Sequence, residues 1–294
     1  MSETRVSPAN LDYQEARRWS RFLRRFLRSR NVMAGAVVLG AVIIMVVLAA
    51  QISPYEPTQQ FRRHRLQPPN AEFLLGTDNL GRDILTRILY GGRVSLQVGI
   101  VSVAIGATLG TLLGLIAGYI GGWTDVLIMR FIDMMLAFPG ILLALVIIAV
   151  LGRNLQNVMI AVGLSSIPVY TRVVRGSTLS IKQFDFIIAA GALGASSGRI
   201  MARHILPNVL APIIVVATNG VAGAIISGAA LSFLGLGQQP PDPEWGLMLN
   251  EGRDYIRAAA WVTTYPGLAI MITVLSINLL GDGLRDILDP RLKL

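Results

Sequence analysis

Residues able to do covalent or acid–base chemistry are scarce in this chain, and none are spaced for it. There is no cysteine, which excludes disulfides, thiolate metal sites and thiol nucleophiles. Only two histidines occur, His64 and His204. No GxxxxGK[ST] phosphate loop, GxSxG turn, HExxH run or carboxylate pair is present. We therefore expect no catalytic residue, no metal ligand and no cofactor held by this chain. The polar groups inside its apolar segments are mostly neutral: Thr108, Thr111, Thr218, Asn219, Ser227, Thr273, Ser276 and Asn278. Asp133, one turn from Arg130, is expected to form a local ion pair. Proton- and ion-coupled carriers place ionisable groups mid-membrane. Neutral groups instead suit a path that a solute crosses on borrowed energy, and Asn219, Ser227 and Asn278 are the candidates to line it.

The elements that must position these groups are membrane helices. Hydrophobic residues make up 53% of the 294 and charged residues 15%, against about 25% charged in an ordinary soluble domain. Mean hydropathy is +0.59. A bilayer core needs roughly 20 apolar residues per helix. Six segments qualify: Val32–Ile52, Val94–Tyr119, Val126–Leu151, Leu155–Tyr170 (broken by Pro168), Val209–Leu236 and Trp261–Leu280. Gly106, Gly110, Gly114 and Gly118 form a four-residue stripe of the kind that lets helices approach closely in lipid. The fold class expected is an all-α polytopic membrane protein with six transmembrane helices.

Charge sets the expected orientation. Arg17, Arg18, Arg21, Arg24, Arg25, Arg28 and Arg30 precede the first span, which places the N-terminus in the cytoplasm. The expected organisation is a basic arm (1–31), the first helix (32–52), an outer loop with a short helix (53–93), and a five-helix core (94–283). That core includes a cytoplasmic loop (171–208) and an outer loop (237–260), and a cytoplasmic tail (284–294) follows it. The first span is too long for a signal-peptide core and reads as an uncleaved anchor. Trp19, Phe22, Leu23, Phe26 and Leu27 recur at helical spacing in the arm, which suits either an amphipathic helix on anionic lipid or a bare topology signal. One feature resists the orientation rule: Arg62, Arg63, Arg65, Arg82, Arg87 and Arg93 fall in the first outer loop, offset in part by Glu56, Glu72, Asp78 and Asp83.

The cytoplasmic loop carries the most information. Phe184–Leu193 suits a short helix, and Gly194 permits a tight turn through Ala195 and Ser196. Ser196 or Ser197 can cap a second helix, Gly198–Ile205. Pro207 is expected to disfavour helix at Leu206 and redirect the chain into the fifth span. The result is a small elbow that fits a partner's groove.

This stretch resembles the signature loop of ABC importer permeases of the type I fold, which reads Glu-Ala-Ala, three residues, Gly, nine residues, Ile, any residue, Leu-Pro. Ala189-Ala190, Gly194 and Leu206-Pro207 match it, while Ile188 stands at the Glu position and His204 at the Ile. Gly76-Thr77-Asp78-Asn79-Leu80-Gly81-Arg82-Asp83, Leu231–Gly237, Pro240–Gly246 and Gly281–Arg291 resemble the dipeptide/oligopeptide/nickel branch, and most of all its second permease subunit. The resemblance implies that Asp185, Ala189, Ala190, Leu193, Gly194, Ala195, Ser196, Arg203, Leu206 and Pro207 couple to an ATPase. It implies a second homologous permease, two ATPase subunits that carry ATP and Mg, an extracytoplasmic solute-binding protein, the inner membrane as location, and no nucleic acid. Peptides are the first expected cargo, with nickel, glutathione or sugars as alternatives. Read from their residue types alone, Gly76, Thr77, Asp78, Gly81, Arg82 and Asp83 suit turns and caps, or a surface for the binding protein. Trp245 suits the membrane interface. Asp282, Arg285 and Asp286 suit pairing with the elbow or the ATPase, or a solvated face. An ATPase-independent secondary carrier is the rival from another class.

Overall fold

The computed structural model describes residues 29–288. The basic arm through Arg28, with the lipid-lying helix expected there, lies outside the described residues, as does the tail from Asp289. Regular structure among the described residues is helical, apart from one isolated bridge between Thr77 and Asp83. The helices are α1 (Arg30–Val47), α2 (Ala49–Ile52), α3 (Ile84–Ile120), α4 (Gly122–Leu136), α5 (Gly140–Leu151) and α6 (Leu155–Ile181). They continue with α7 (Asp185–Ala192), α8 (Ser197–Ile200), a π-turn (Met201–Ile205), α9 (Leu206–Phe233), α10 (Trp245–Gly252) and α11 (Trp261–Leu288). Five helical stretches are long and apolar enough to cross a membrane, or six if the bent pair α4–α5 counts as one span.

The centre of the bundle is the seam between α3 and α6, and glycine makes it. A Cβ on Gly110 would lie 2.9 Å from the Ile167 carbonyl oxygen, and one on Gly114 would lie 2.7 Å from that of Thr171. Seen from α6, a Cβ on Gly163 would lie 2.9 Å from the Ser102 carbonyl oxygen. Backbone meets backbone along the seam, so any larger side chain must push the helices apart. α9 lies across α3, with Val221 and Ile225 against Gly99 and Val98 against Gly228. α1 packs on α11 from the outside, with Gly35 against the Ser276 carbonyl.

Several elements depart from the sequence reading. α3 begins at Ile84 rather than Val94, so Arg87 and Arg93, expected in a loop, are helical. The short helix expected in the outer loop is the start of this span. Asp83 caps it, its carboxylate accepting from the Thr86 N–H and hydroxyl at 2.8 and 2.7 Å. Burial holds the Asp83 carboxyl above the usual carboxylate range, and the Thr86 hydrogen bonds offset only part of that rise. The third apolar run is not straight: α4 and α5 meet at 92° just before Gly140. Pro139 disfavours helix at the residue before it, and uniform hydropathy carries no sign of the angle.

Pro168 does not break the fourth span. α6 runs unbroken through it to Ile181, with Ser165, Ser166 and Thr171 hydroxyls donating to carbonyls of the same helix. Such bonds and close neighbours stabilise a proline in a membrane helix. Nor does Pro207 turn the chain: Leu206 is helical at φ −52° and ψ −46°. The π-turn at Met201–Ile205 widens the helix where the proline ring would strike the carbonyl four residues back. Ser197–Phe233 is thereby one continuous helix of 37 residues.

The seam yields a direct prediction. Gly114→Val should cost about 3 kcal/mol or more and lower the thermal midpoint of the detergent-solubilised protein. Gly176→Ala, in open space on the same α6, should leave it within about 0.5 kcal/mol. Equal effects would refute close approach at the seam.

Candidate functional site

Three features bear on function: a buried charge cluster at one end of the bundle, a cavity along α9, and the elbow at the other end.

The cluster is built from the Gly76–Asp83 loop. Gly76 and Gly81 take φ of +78° and +77°, and a Cβ on Gly81 would overlap the Phe61 carbonyl. Thr77 donates its hydroxyl to the His64 carbonyl and accepts from the Gln67 N–H at 2.9 Å. Asp78 Oδ1 accepts from the Leu80 and Arg82 N–H groups at 2.8 and 2.9 Å, and its Oδ2 lies 2.6 Å from Arg82 Nε. Arg82 and Arg87 then reach the Glu251 carboxylate of α10, at 2.9 and 2.8 Å. Both arginines are 1% exposed. Two cations and two carboxylates thus close on each other, Asp78 buried and Glu251 part-buried.

The motif supplies the turns and the cap that its residue types suit, and it is buried, tying α3 to α10. Of the outer-loop arginines, Arg82 and Arg87 find their partner far along the chain in Glu251, and Arg93 caps the end of α1 by donating to the Val46 and Val47 carbonyls at 2.9 and 2.8 Å. Trp245 is 1% exposed, its indole N–H on the Ile88 carbonyl at 2.9 Å, so it is a core residue and not an interface anchor. Glu244 caps α10 and also accepts from the Ser95 hydroxyl at 2.9 Å. The helix α10 itself was missed; the acidic cap before a Trp-Gly-Leu run was its only signal.

The cavity holds about 900 Å³, in the range of small-molecule sites. Its walls are α9, the middle of α6, the start of α5, one turn of α3 and Arg285 of α11. Asn219 and Ser227 lie on it; Asn278 does not, and is exposed. α6 adds Ser165, Ser166 and Tyr170, which the sequence reading did not single out, and α11 contributes Arg285 alone.

The elbow sits beyond Lys182. α7 ends in a Schellman turn: Ala195 N–H bonds the Ala190 carbonyl at 3.1 Å and Gly194 N–H the Gly191 carbonyl at 3.0 Å, with Gly194 at φ +80°. One face packs inward through Ile187 and Ile200, beside Leu115, Val174, Ile181 and Val209. The opposite side leaves Phe184, Phe186, Ile188 and Leu193 exposed, Leu193 at 89%. Asp185, Ala189, Gly194, Ser196, Arg203 and Pro207 are exposed, and Ala190, Ala195 and Leu206 half-buried. Ser196 stands at the cap position of α8 but its side chain makes no cap bond. At the elbow's base Lys182 donates to the Gly118 carbonyl at 3.2 Å, a cation at the C-terminus of α3. Arg175 grips Asp125 of α4 with two bonds of 2.5 and 2.6 Å. Asp133 pairs with Arg172 of α6 at 2.8 Å and not with Arg130, because α6 continues far enough to reach it. Among the described residues Asp282, Arg285 and Asp286 form no ion pair.

Residues 110–294 match the model of the family described as binding-protein-dependent transport system inner membrane component. Residues 17–69 match the N-terminal TM domain of oligopeptide transport permease C. The chain is 46% identical to the dipeptide transport system permease protein DppC of Alkalihalophilus pseudofirmus, covering 99% of this chain and 96% of the relative. It is 50% identical to the glutathione transport system permease protein GsiD of Escherichia coli, covering 94% and 91%. A solved structure of the MetNI methionine ABC transporter in inward-facing conformations has a chain of the same fold. The TM-score is 0.56 at 20% identity, over 68% of this chain and 96% of that one.

The charge cluster makes its own prediction. Glu251→Ala leaves two buried arginines sharing Asp78 and should cost about 3–5 kcal/mol, read as a lowered thermal midpoint. The quadruple replacement Asp78→Leu, Arg82→Met, Arg87→Met, Glu251→Met should recover much of that loss. A midpoint unmoved by Glu251→Ala would refute the clamp.

Proposed function

The chain belongs to the family of binding-protein-dependent transport system inner membrane components, as a permease of the dipeptide/oligopeptide branch of ABC importers, and from that premise we propose how it works. It forms half of a translocation path for a small peptide, and a second, homologous permease forms the other half. The elbow end lies in the cytoplasm with both termini, and the charge cluster faces the outside, where a solute-binding protein delivers cargo. Two ATPase subunits hold ATP and Mg and supply the work.

One observation supports this reading above the others: the elbow and the cavity wall are the same rigid element. Ser197–Phe233 runs unbroken from the elbow's second limb to the cavity-lining stripe of α9. Leu193 stands across the Gly194 turn from this helix, and a push on it reaches the wall that carries Asn219 and Ser227 through the packing of Ile187 against Ile200. The exposed apolar tip is a surface that a monomer gains by covering. The absence of a Glu at Ile188 leaves the docking face apolar where the family pattern is charged. Peptide cargo is supported by the name of the Alkalihalophilus relative, and glutathione, itself a small peptide, by that of the Escherichia coli relative.

The test is transport by the whole complex in proteoliposomes. A Cβ on Gly194 meets open space, but the positive φ disfavours any side chain. Gly194→Arg should insert and assemble yet lose at least about tenfold of its uptake, a loss of about 1.4 kcal/mol in coupling, while ATP hydrolysis continues. Leu193→Glu, at a position with ordinary backbone, should do the same. Wild-type uptake by both variants would overturn the elbow's role.

A further inference from the structure

We infer that the cavity itself selects its cargo by polarity, with Arg285 taking the carboxylate end of a dipolar solute; this rests on the peptide reading above. Among the described residues Arg285, itself exposed, is the one charged side chain on the cavity wall. It stands one turn beyond Gly281, where α11 lies directly against Asn219 of α9. That position puts the cation at the elbow end of the cavity, beside the start of α9.

Deeper in, the wall carries no charge. Ser165 donates its hydroxyl proton to the Val162 carbonyl at 2.9 Å, and a hydroxyl whose proton is committed can only accept. Ser102 is buried against the Met159 carbonyl and Ser166 turns its hydroxyl toward Gly106, both in the seam behind the cavity wall. Tyr170, 2% exposed, rests its hydroxyl against Gly220 and makes no hydrogen bond among the described residues, so its proton is free to donate.

Neutral donors and acceptors along the wall and one guanidinium at its elbow end suit a small uncharged-bodied solute that carries a carboxylate at one end. A short peptide with a free C-terminus fits, held with its carboxylate toward the elbow. Arg binds a carboxylate by paired charge-assisted bonds. A cavity of this polarity disfavours free cations and C-terminally blocked peptides.

The experiment uses the complete complex in proteoliposomes, with Ala-Ala-Ala and its C-terminal amide as probes. The binding protein is common to all samples, so its preference cancels in each variant-to-wild-type ratio. Arg285→Gln should lower uptake of the free peptide about tenfold while leaving the amide within about twofold. Arg285→Lys should retain most free-peptide uptake. If the binding protein does not deliver the amide, the Arg285→Gln variant decides by coupling: free-peptide uptake should fall while binding-protein-stimulated ATP hydrolysis stays. An equal loss on both probes, loss of hydrolysis with uptake, or no loss on either overturns the assignment. Failure of the wild-type complex to move either peptide would instead overturn the peptide reading, and this assignment with it.

Discussion

The structure depends on how closely α3 and α6 approach. Lipid supplies no hydrophobic drive between helices, so van der Waals contact must hold them together. Gly106, Gly110, Gly114 and Gly118 on one side and Gly163 on the other remove the side chains that would keep the backbones apart. Everything with a claim to function is referred to this seam. The serines and Tyr170 of the cavity stand on the α6 side of it, Lys182 reaches back across its end to the α3 carbonyls, and the charge cluster is anchored at the other end of α3.

Around that fixed pair the molecule has a clamped end and an elbow end. At the clamped end, three buried charges, the part-buried Glu251 and two tryptophan N–H bonds tie α3, α10 and α11 together. Neutralised inside the protein, those charges are shielded from lipid and from salt alike. At the elbow, apolar packing through Ile187, Ile200 and Ile205 is joined by exposed ion pairs such as Arg172–Asp133, which contribute little. The helix these contacts hold carries two prolines, Pro207 beside the π-turn and Pro212 inside α9, and still runs unbroken from Ser197 to Phe233.

Local pattern made much of this legible. The glycine stripe, the spans and the elbow's helix–turn–helix follow from spacing and turn chemistry within a few residues. What stayed hidden depends on distant partners or on angles. Arg82 and Arg87 read as loop residues because hydropathy sees their charge and not Glu251, which lies far along the chain. Trp245 reads as an interface anchor because nothing local shows the Ile88 carbonyl that takes its N–H. The bend between α4 and α5 is invisible because both limbs are equally apolar. The prolines misled in the opposite direction: Pro168 and Pro207 break isolated helices, but serine hydroxyls and a π-turn compensate them here.

The most direct test of the account is where the elbow lies and what it touches. The chain has no cysteine, so Leu193→Cys introduces a single thiol at the exposed tip. In intact cells a short bifunctional thiol reagent should join it to an ATPase subunit, and a membrane-impermeant thiol label added outside should not reach it. Labelling from outside, with no cross-link to an ATPase, would contradict the account at its root.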